Sequence, residues 1–168
     1  MDKTSLSKKK KLRIGVVADS VHEHYQLGIW RGVASEAMKH NVDLVSFIGT
    51  SQDGIDHFDA HYDMIQQFAH NCPLDGVVIF SGSITEHHGK DFTKDLCDGF
   101  SEIPLVCVSE RVDGHPCILV ENTAGIHATV DHLVQVHNLR NIAFIKGPDG
   151  HTEAKERFNA YKAGLALE

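Results

Sequence analysis

Six apolar runs of strand length recur along this chain, each followed by a polar or helix-periodic segment, and no other feature constrains its fold as much. "LRIGVVAD", "VDLVSFIG", "DGVVIFSG", "IPLVCVSE", "CILVEN" and "NIAFIKGP" are apolar at consecutive rather than alternate positions. A strand that hides both faces needs helices on both sides, which is the arrangement of a parallel sheet. The intervening segments carry the helical period. In "YQLGIWRGVASEAMKHN", Ile29, Val33 and Ala37 lie beside Trp30, Ala34 and Met38, and "HFDAHYDMIQQFAHN" repeats Phe58, Tyr62, Ile65 and Phe68. "AGIHATVDHLVQVHN" repeats Ile126, Val130, Leu133, Val134 and His137, and "TEHHGKDFTKDLCDGF" reads as a weaker helix. After the last strand, "GPDGHTEAKERFNAYKAGLALE" reads as a loop and a helix that meets the sheet through Phe158, Tyr161 and Leu165. The class is therefore α/β, doubly wound, with a mainly parallel sheet of about six strands and helices on both faces.

Bulk properties narrow the function classes. A chain of 168 residues suits one domain with a sizeable core, and 42% hydrophobic with 23% charged residues is ordinary globular composition. No apolar run approaches the roughly 20 residues of a membrane helix. The net charge of −7 opposes a nucleic-acid-binding body, since phosphate contacts demand a concentrated positive face. The exception is local: Lys8, Lys9, Lys10 and Lys11 close a basic segment, 1–11, that reads as a disordered solvating tail. Asp19 interrupts the first apolar run too early for a signal peptide, so the cytoplasm is the expected compartment. Cys72, Cys97, Cys107 and Cys117 show no C-x-x-C pair and read as reduced thiols.

In an open parallel sheet, ligands bind beyond the carboxyl ends of the strands. That rule selects the loops "ADSVHEHYQ", "GTSQDG", "SGSITEHH", "SERVDG" and "GPDGHTEAKER". Their hydrogen-bonding groups include Asp19, Ser20, Ser81, Ser83, Glu110, Arg111, Asp149 and Arg157, a rim suited to a polar, hydroxyl-rich small molecule. Loops are also polar simply because they face water.

Catalytic chemistries find little support. The first strand is followed by "ADSVHE" rather than the G-x-G-x-x-G that lets a backbone approach a pyrophosphate, and no P-loop is present. A phosphoacceptor receiver would carry an aspartate after the third strand, which ends instead in "VVIFSGS". The thirteen histidines are densest at His22 to His24 and at His87 and His88, without a helical i, i+4 metal pair or a Cys/His box. His127 and His132 are five apart, an offset that points them to different faces of an α-helix. "SGSIT" has serines without the G-x-S-x-G elbow. No cofactor and no metal are expected, and a histidine-dependent metalloenzyme is the remotest reading.

The order of the segments carries a resemblance. From "LRIGVVADSVHEHYQLGIWRGVASEA" through "LDGVVIFSG" and "IPLVCVSE" to "ILVENTAGIHATVDHLVQVHNLRNIAFIKGP" and "ERFNAYKAGLAL", the sequence resembles the ligand-binding domain of the LacI/GalR regulators, which have the type I periplasmic-binding-protein fold. The resemblance runs from about Leu12 to Leu167. It implies that 12–168 is the first lobe of such a domain, stopping before the second. It also implies that Tyr25 stands where the family presents an aromatic to the ligand, near Asp19 and Ser20. Arg157 in "RFNAY" matches an arginine that often grips a ligand hydroxyl, and its fork of donors suits vicinal hydroxyls or a carboxylate. Asn122 matches an asparagine after the fifth strand and is expected to cap the helix beginning near Ala124.

Family repressors begin with a helix-turn-helix, and "MDKTSLSKKKK" stands in its place. The leading expectation is a non-catalytic sensing lobe for a sugar-like or other polar metabolite, upstream of a diguanylate cyclase or histidine kinase output. The alternative is the ligand-binding part of a LacI/GalR-type transcription regulator without its DNA-reading head. Either way the expected partners are a polar small molecule and a second copy of the chain through the lobe surface, with no membrane and no direct nucleic-acid contact.

Overall fold

The computed structural model describes residues 11–49, 67–69, 71–148 and 151–166. The basic segment up to Lys10, most of the expected helix "HFDAHYDMIQQFAHN", the loop "GTSQDG" beyond Gly49, and Asp149 lie outside the described residues.

Two compact units make up the chain, Met1–Ile118 and Leu119–Glu168. The first holds five parallel strands in the order β2-β1-β3-β4-β5: β1 (Arg13–Ala18), β2 (Asp43–Ile48), β3 (Gly76–Ile79), β4 (Leu105–Val108) and β5 (Cys117–Ile118). Val16 of β1 pairs with Ser46 of β2 on one side and Val78 of β3 on the other. The strand order reverses between β1 and β3, because the chain runs outward to β2 and then returns to the other side of β1 for β3. Such a reversal leaves a crevice outside the carboxyl ends of the two strands.

Alternate residues of β1 go to opposite faces. Val17 joins Val77, Ile79, Ile84, Leu96, Cys97, Phe100 and Cys107 in one core, beneath helices α2 (Ser81–His88) and α3 (Lys90–Asp98). Val16 and Ala18 join Phe80, Ile29, Trp30 and Val33 on the other face, under α1 (His24–Lys39). The central strands β1 and β3 therefore hide both faces, as their unbroken apolar runs require, while at the sheet edges Ser46 of β2 and Ile118 of β5 are exposed. Fully burying a side chain such as Ile79 or Ile84 contributes roughly 1.5–3 kcal/mol. The α1 stripe is confirmed except at its end, where Met38 is 80% exposed.

The segment read as one weak helix is two. Gly89 adopts φ +87°, a left-handed conformation that ends α2 and opens α3. α2 also begins at Ser81, directly after β3, so "SGS" is the first turn of a helix and not a loop.

The second unit contains α4 (Thr123–Asp131), a π-helical turn over His132–Val136, and α5 (Thr152–Ala166). Val130 packs against Gly164, where an added Cβ would lie 3.2 Å from the valine Cβ. The π turn brings the Nε2 atoms of His132 and His137 to 3.1 Å, although the two residues are five apart. The expected sixth strand, "NIAFIKGP", is not part of the sheet. Phe144 instead stacks on Tyr161, and the Tyr161 hydroxyl donates to the Ile142 carbonyl at 2.7 Å, occupying a group that a ladder would use.

Candidate functional site

The β1/β3 crevice opens on Asp19, the first residue after β1. Its side chain follows the buried strand and is itself buried, at 1% exposure. Oδ2 is paired with His87 Nδ1 from the last turn of α2, and Oδ1 lies 3.8 Å from His88 Nε2. Among the described residues Oδ1 has no hydrogen-bond partner. A buried carboxylate with open acceptor capacity is unfavourable unless something is built to use it. His88 is fixed from its other side by packing on Phe92, ring centroids 4.7 Å apart. Ser20, next to Asp19, accepts the His22 backbone N–H at 3.2 Å and shapes the turn leading into α1.

β3 and β4 close on each other at the same end of the sheet. The Ser81 hydroxyl lies 2.9 Å from the Val108 carbonyl and 2.8 Å from the Glu110 carbonyl, and it also accepts the Glu110 N–H at 3.3 Å. It has one proton and shares it between two carbonyls, so Ser81 acts as a clamp that shapes the end of β4. Ser83 turns its hydroxyl back to the Phe80 carbonyl at 3.3 Å. Both serines are buried and bonded to backbone.

The clamped segment carries Ser109 and Glu110. Ser109 has φ +78°, a strained conformation for a residue with a side chain, of the kind that collects at binding sites. It faces Gly82 so closely that a Cβ there would stand 2.8 Å from the Ser109 Cβ, so only glycine fits opposite it. The Ser109 hydroxyl lies 3.0 Å from the hydroxyl of Tyr25, which is 52% exposed in the first turn of α1. Glu110 is buried and paired with Lys90 Nζ at 3.2 Å. The exposed Tyr25 ring and the Ser109 hydroxyl offer a stacking face with a hydrogen-bonding partner beside it, which suits a ligand bearing hydroxyls.

Of the residues read from sequence, the first unit thus brings Asp19, Ser20, Tyr25, Ser81, Ser83 and Glu110 to the carboxyl ends of β1, β3 and β4. Ser109 and Gly82 complete this rim without having been singled out, and His87, weighed in the sequence only as a metal ligand, joins it as the partner of Asp19. Both lie in segments read as loops, "SGSITEHH" and "SERVDG", but nothing in those residues marks the left-handed backbone of Ser109 or its close approach to Gly82.

Arg157 belongs to the second unit. Its Nε donates to Asn122 Oδ1 at 2.8 Å, and its guanidinium is paired with Glu153 one turn earlier. The side chain remains 42% exposed, so part of the fork faces outward. Asn122 does not cap α4 as expected. The Glu121 carboxylate does so, accepting the N–H groups of Thr123 at 3.0 Å and Ala124 at 2.8 Å. Asn122 Nδ2 donates instead to Glu156 at 3.0 Å, linking the start of α4 to α5.

Among the described residues, no group of three or more His, Cys, Asp or Glu is placed to hold a metal ion. Among them too, no helix is long and apolar enough to cross a membrane.

No protein-family model matches the chain. Over 166 residues it is 25% identical to the Probable HTH-type transcriptional regulator EndR of Paenibacillus polymyxa, covering 96% of this chain and 45% of the regulator. A periplasmic solute-binding protein of Actinobacillus succinogenes, solved with bound D-allose, superposes with a TM-score of 0.68 at 14% identity, over 94% of this chain and 56% of that one. The Lac repressor dimer bound to operator and the anti-inducer ONPF superposes with a TM-score of 0.67 at 18% identity, over 96% and 53%. The chain spans about half the length of the proteins it matches. These likenesses show an α/β fold that LacI-type regulators share with periplasmic sugar-binding proteins.

Proposed function

We propose that this chain, which has that shared fold, is the ligand-binding part of a LacI-type transcription regulator and takes a sugar-like or other polar metabolite. The observation that carries the reading is Asp19. It is a buried carboxylate beside the strand-order reversal, with one oxygen unpartnered among the described residues, and Tyr25 and Ser109 are joined to each other at the same, carboxyl end of the sheet. Asp19 and Glu110 serve as acceptors, Ser20 and Ser109 as two-way partners, and Tyr25 as the stacking face. Ser81 and Ser83 hold the rim in shape. Arg157, whose guanidinium is partly exposed, and Asp149 are proposed as ligand contacts of the second unit by itself.

The curated relative is a transcription regulator, and this favours the regulator over a sensor upstream of a diguanylate cyclase or histidine kinase. The remaining elements of the proposal are binding without catalysis, a cytoplasmic location, and residues 12–168 as a first lobe that works with a second. Operator contact would fall to a separate segment, in keeping with the net charge of −7, and the working unit would be a homodimer.

The test is a thermal-shift screen of the full-length gene product against monosaccharides, polyols and sugar phosphates, followed by calorimetry on any compound that raises the melting temperature. Asp19→Ala should weaken that compound by about tenfold or more, roughly 1.4 kcal/mol per decade, and Arg157→Ala tests the second unit's contact separately. A mobility-shift experiment with the gene's own upstream DNA should respond to the same compound. Binding left unchanged by Asp19→Ala would overturn the site, and an absence of DNA binding together with a cyclase or kinase domain in the reading frame would overturn the regulator.

A further inference from the structure

Three of the four cysteines converge at a place the ligand-binding reading does not use. Cys107 of β4 and Cys97 of α3 are both fully buried, and their sulfurs are 3.6 Å apart. Cys117 sits directly beside Cys107 in the β4/β5 register. It is only half-buried, and its sulfur accepts the Val112 N–H at 3.3 Å while lying 3.2 Å from the His115 carbonyl. One reachable thiol therefore leads, through a neighbour, to a sealed pair.

We propose that Cys117, Cys107 and Cys97 form a thiol relay that ends in a Cys97–Cys107 disulfide when the protein meets a hydroperoxide. The Cys117 thiolate attacks the peroxide, the O–O bond breaks, and the leaving hydroxide takes a proton to become water, so that Cys117 becomes a sulfenic acid. The Cys107 sulfur displaces the sulfenic hydroxyl, which leaves as a second water, and the Cys107–Cys117 bond forms. The Cys97 thiolate then attacks the Cys107 sulfur, and Cys117 departs as a thiolate that is reprotonated. In sum, two thiols and one hydrogen peroxide give one disulfide and two waters.

Geometry sets the end point. Residues paired on parallel strands keep their side chains side by side at about the 4.8 Å strand spacing, so bridging Cys107 to Cys117 requires their Cβ atoms to tilt together to about 3.8 Å, whereas the Cys97 sulfur already stands 3.6 Å from that of Cys107. Cys97 comes from a helix packed on the sheet and is free of that constraint. A hydrogen bond from Cys107 holds the Cys97 thiol below its ordinary pKa and favours it as the attacking group, while that same bond and burial hold the Cys107 thiol well above its own and burial pushes Cys117 up, so both entry and the Cys107 step are slow at neutral pH. Closing from 3.6 Å to about 2.0 Å pulls β4 toward α3 only two residues before Ser109, so the relay reports oxidation to the rim.

The experiment treats the reduced protein with hydrogen peroxide under native conditions, then alkylates after denaturation and maps the products by mass spectrometry. A glutamate-specific protease cutting at Glu102 separates Cys97 from Cys107, so their bridge joins two peptides. The expected result is a loss of about 2 Da and of two alkylatable thiols, with the Cys97–Cys107 peptide pair recovered. Oxidation should also change hydrogen exchange in the peptide covering residues 105–112, and Cys117→Ser should slow bridge formation by about tenfold or more. Full alkylation of Cys97, Cys107 and Cys117 after peroxide, or oxidation confined to Cys72, would overturn the disulfide. A bridge forming as fast in Cys117→Ser as in the parent would overturn the relay. If that variant does not fold, mapping in the parent protein still decides the disulfide.

Discussion

At the scale of single residues, two hydroxyls of one type and one address behave differently. Ser81 bridges the ends of β3 and β4 through Val108 and Glu110, whereas Ser83 returns to the carbonyl three residues before it. Ser81→Ala would leave an amide and a shared pair of carbonyls in a buried place, a loss of about 1–3 kcal/mol, and Ser83→Ala should lose under about 1 kcal/mol. Urea unfolding of the two variants measures the gap, and equal midpoints would contradict the clamp. A second prediction concerns pH. Burial raises the Cys117 thiol above its ordinary pKa despite the N–H of Val112, so its thiolate appears at higher pH than in a free cysteine. Iodoacetamide should therefore modify native Cys117 more slowly than free cysteine near pH 8, with a rate still rising above the usual thiol range of about 8.5. Equal rates at pH 8 would refute it. Sequence could nominate Asp19, because position after the first strand suffices, while Tyr25 follows from the family resemblance. It could not nominate Ser109, whose place depends on a left-handed backbone and on Gly82 across the sheet.

At the scale of elements, α1 stops because Asn41 adopts φ +53°. The Val42 N–H reaches the Ala37 carbonyl at 2.8 Å and the Asn41 N–H reaches Met38 at 3.2 Å, the two bonds of a Schellman ending. Asn41→Val should destabilise by about 1–2 kcal/mol, because a branched side chain resists the left-handed region. Asn41→Gly should be neutral or stabilising by up to about 1 kcal/mol. Thermal melts that rank valine above glycine would refute this reading. The same left-handed chemistry explains where sequence reading divided elements wrongly. Gly89 splits "TEHHGKDFTKDLCDGF" into α2 and α3, and no apolar period marks that break. "NIAFIKGP" has strand composition, but a strand also needs a partner, and here Phe144 and the Ile142 carbonyl are taken by aromatic residues of α5. The Glu121 cap replaced Asn122 for a related reason: the asparagine amide is committed to Glu156 and Arg157.

At the scale of the molecule, the parallel sheet was legible because consecutive apolar residues in short strands demand cover on both faces, and the cores around Val16 and Val17 supply it. The strand order was not, since nothing in β2 or β3 states on which side of β1 each will lie, yet that choice creates the crevice at Asp19. What the sequence does state is how much apolar surface must be hidden, and in the second unit much of it is not. Leu119, Val120, Val136, Leu139 and Ile145 are all exposed, Ile145 at 97%. Apolar side chains left in water at these positions favour association with another apolar surface. This chain by itself should therefore self-associate, with a light-scattering mass that rises with concentration. Val136→Asp combined with Ile145→Asp should lower that mass toward the monomer's 18.6 kDa without changing the helix signal in circular dichroism. A parent chain that stays monomeric over a wide concentration range would show that these residues do not drive association.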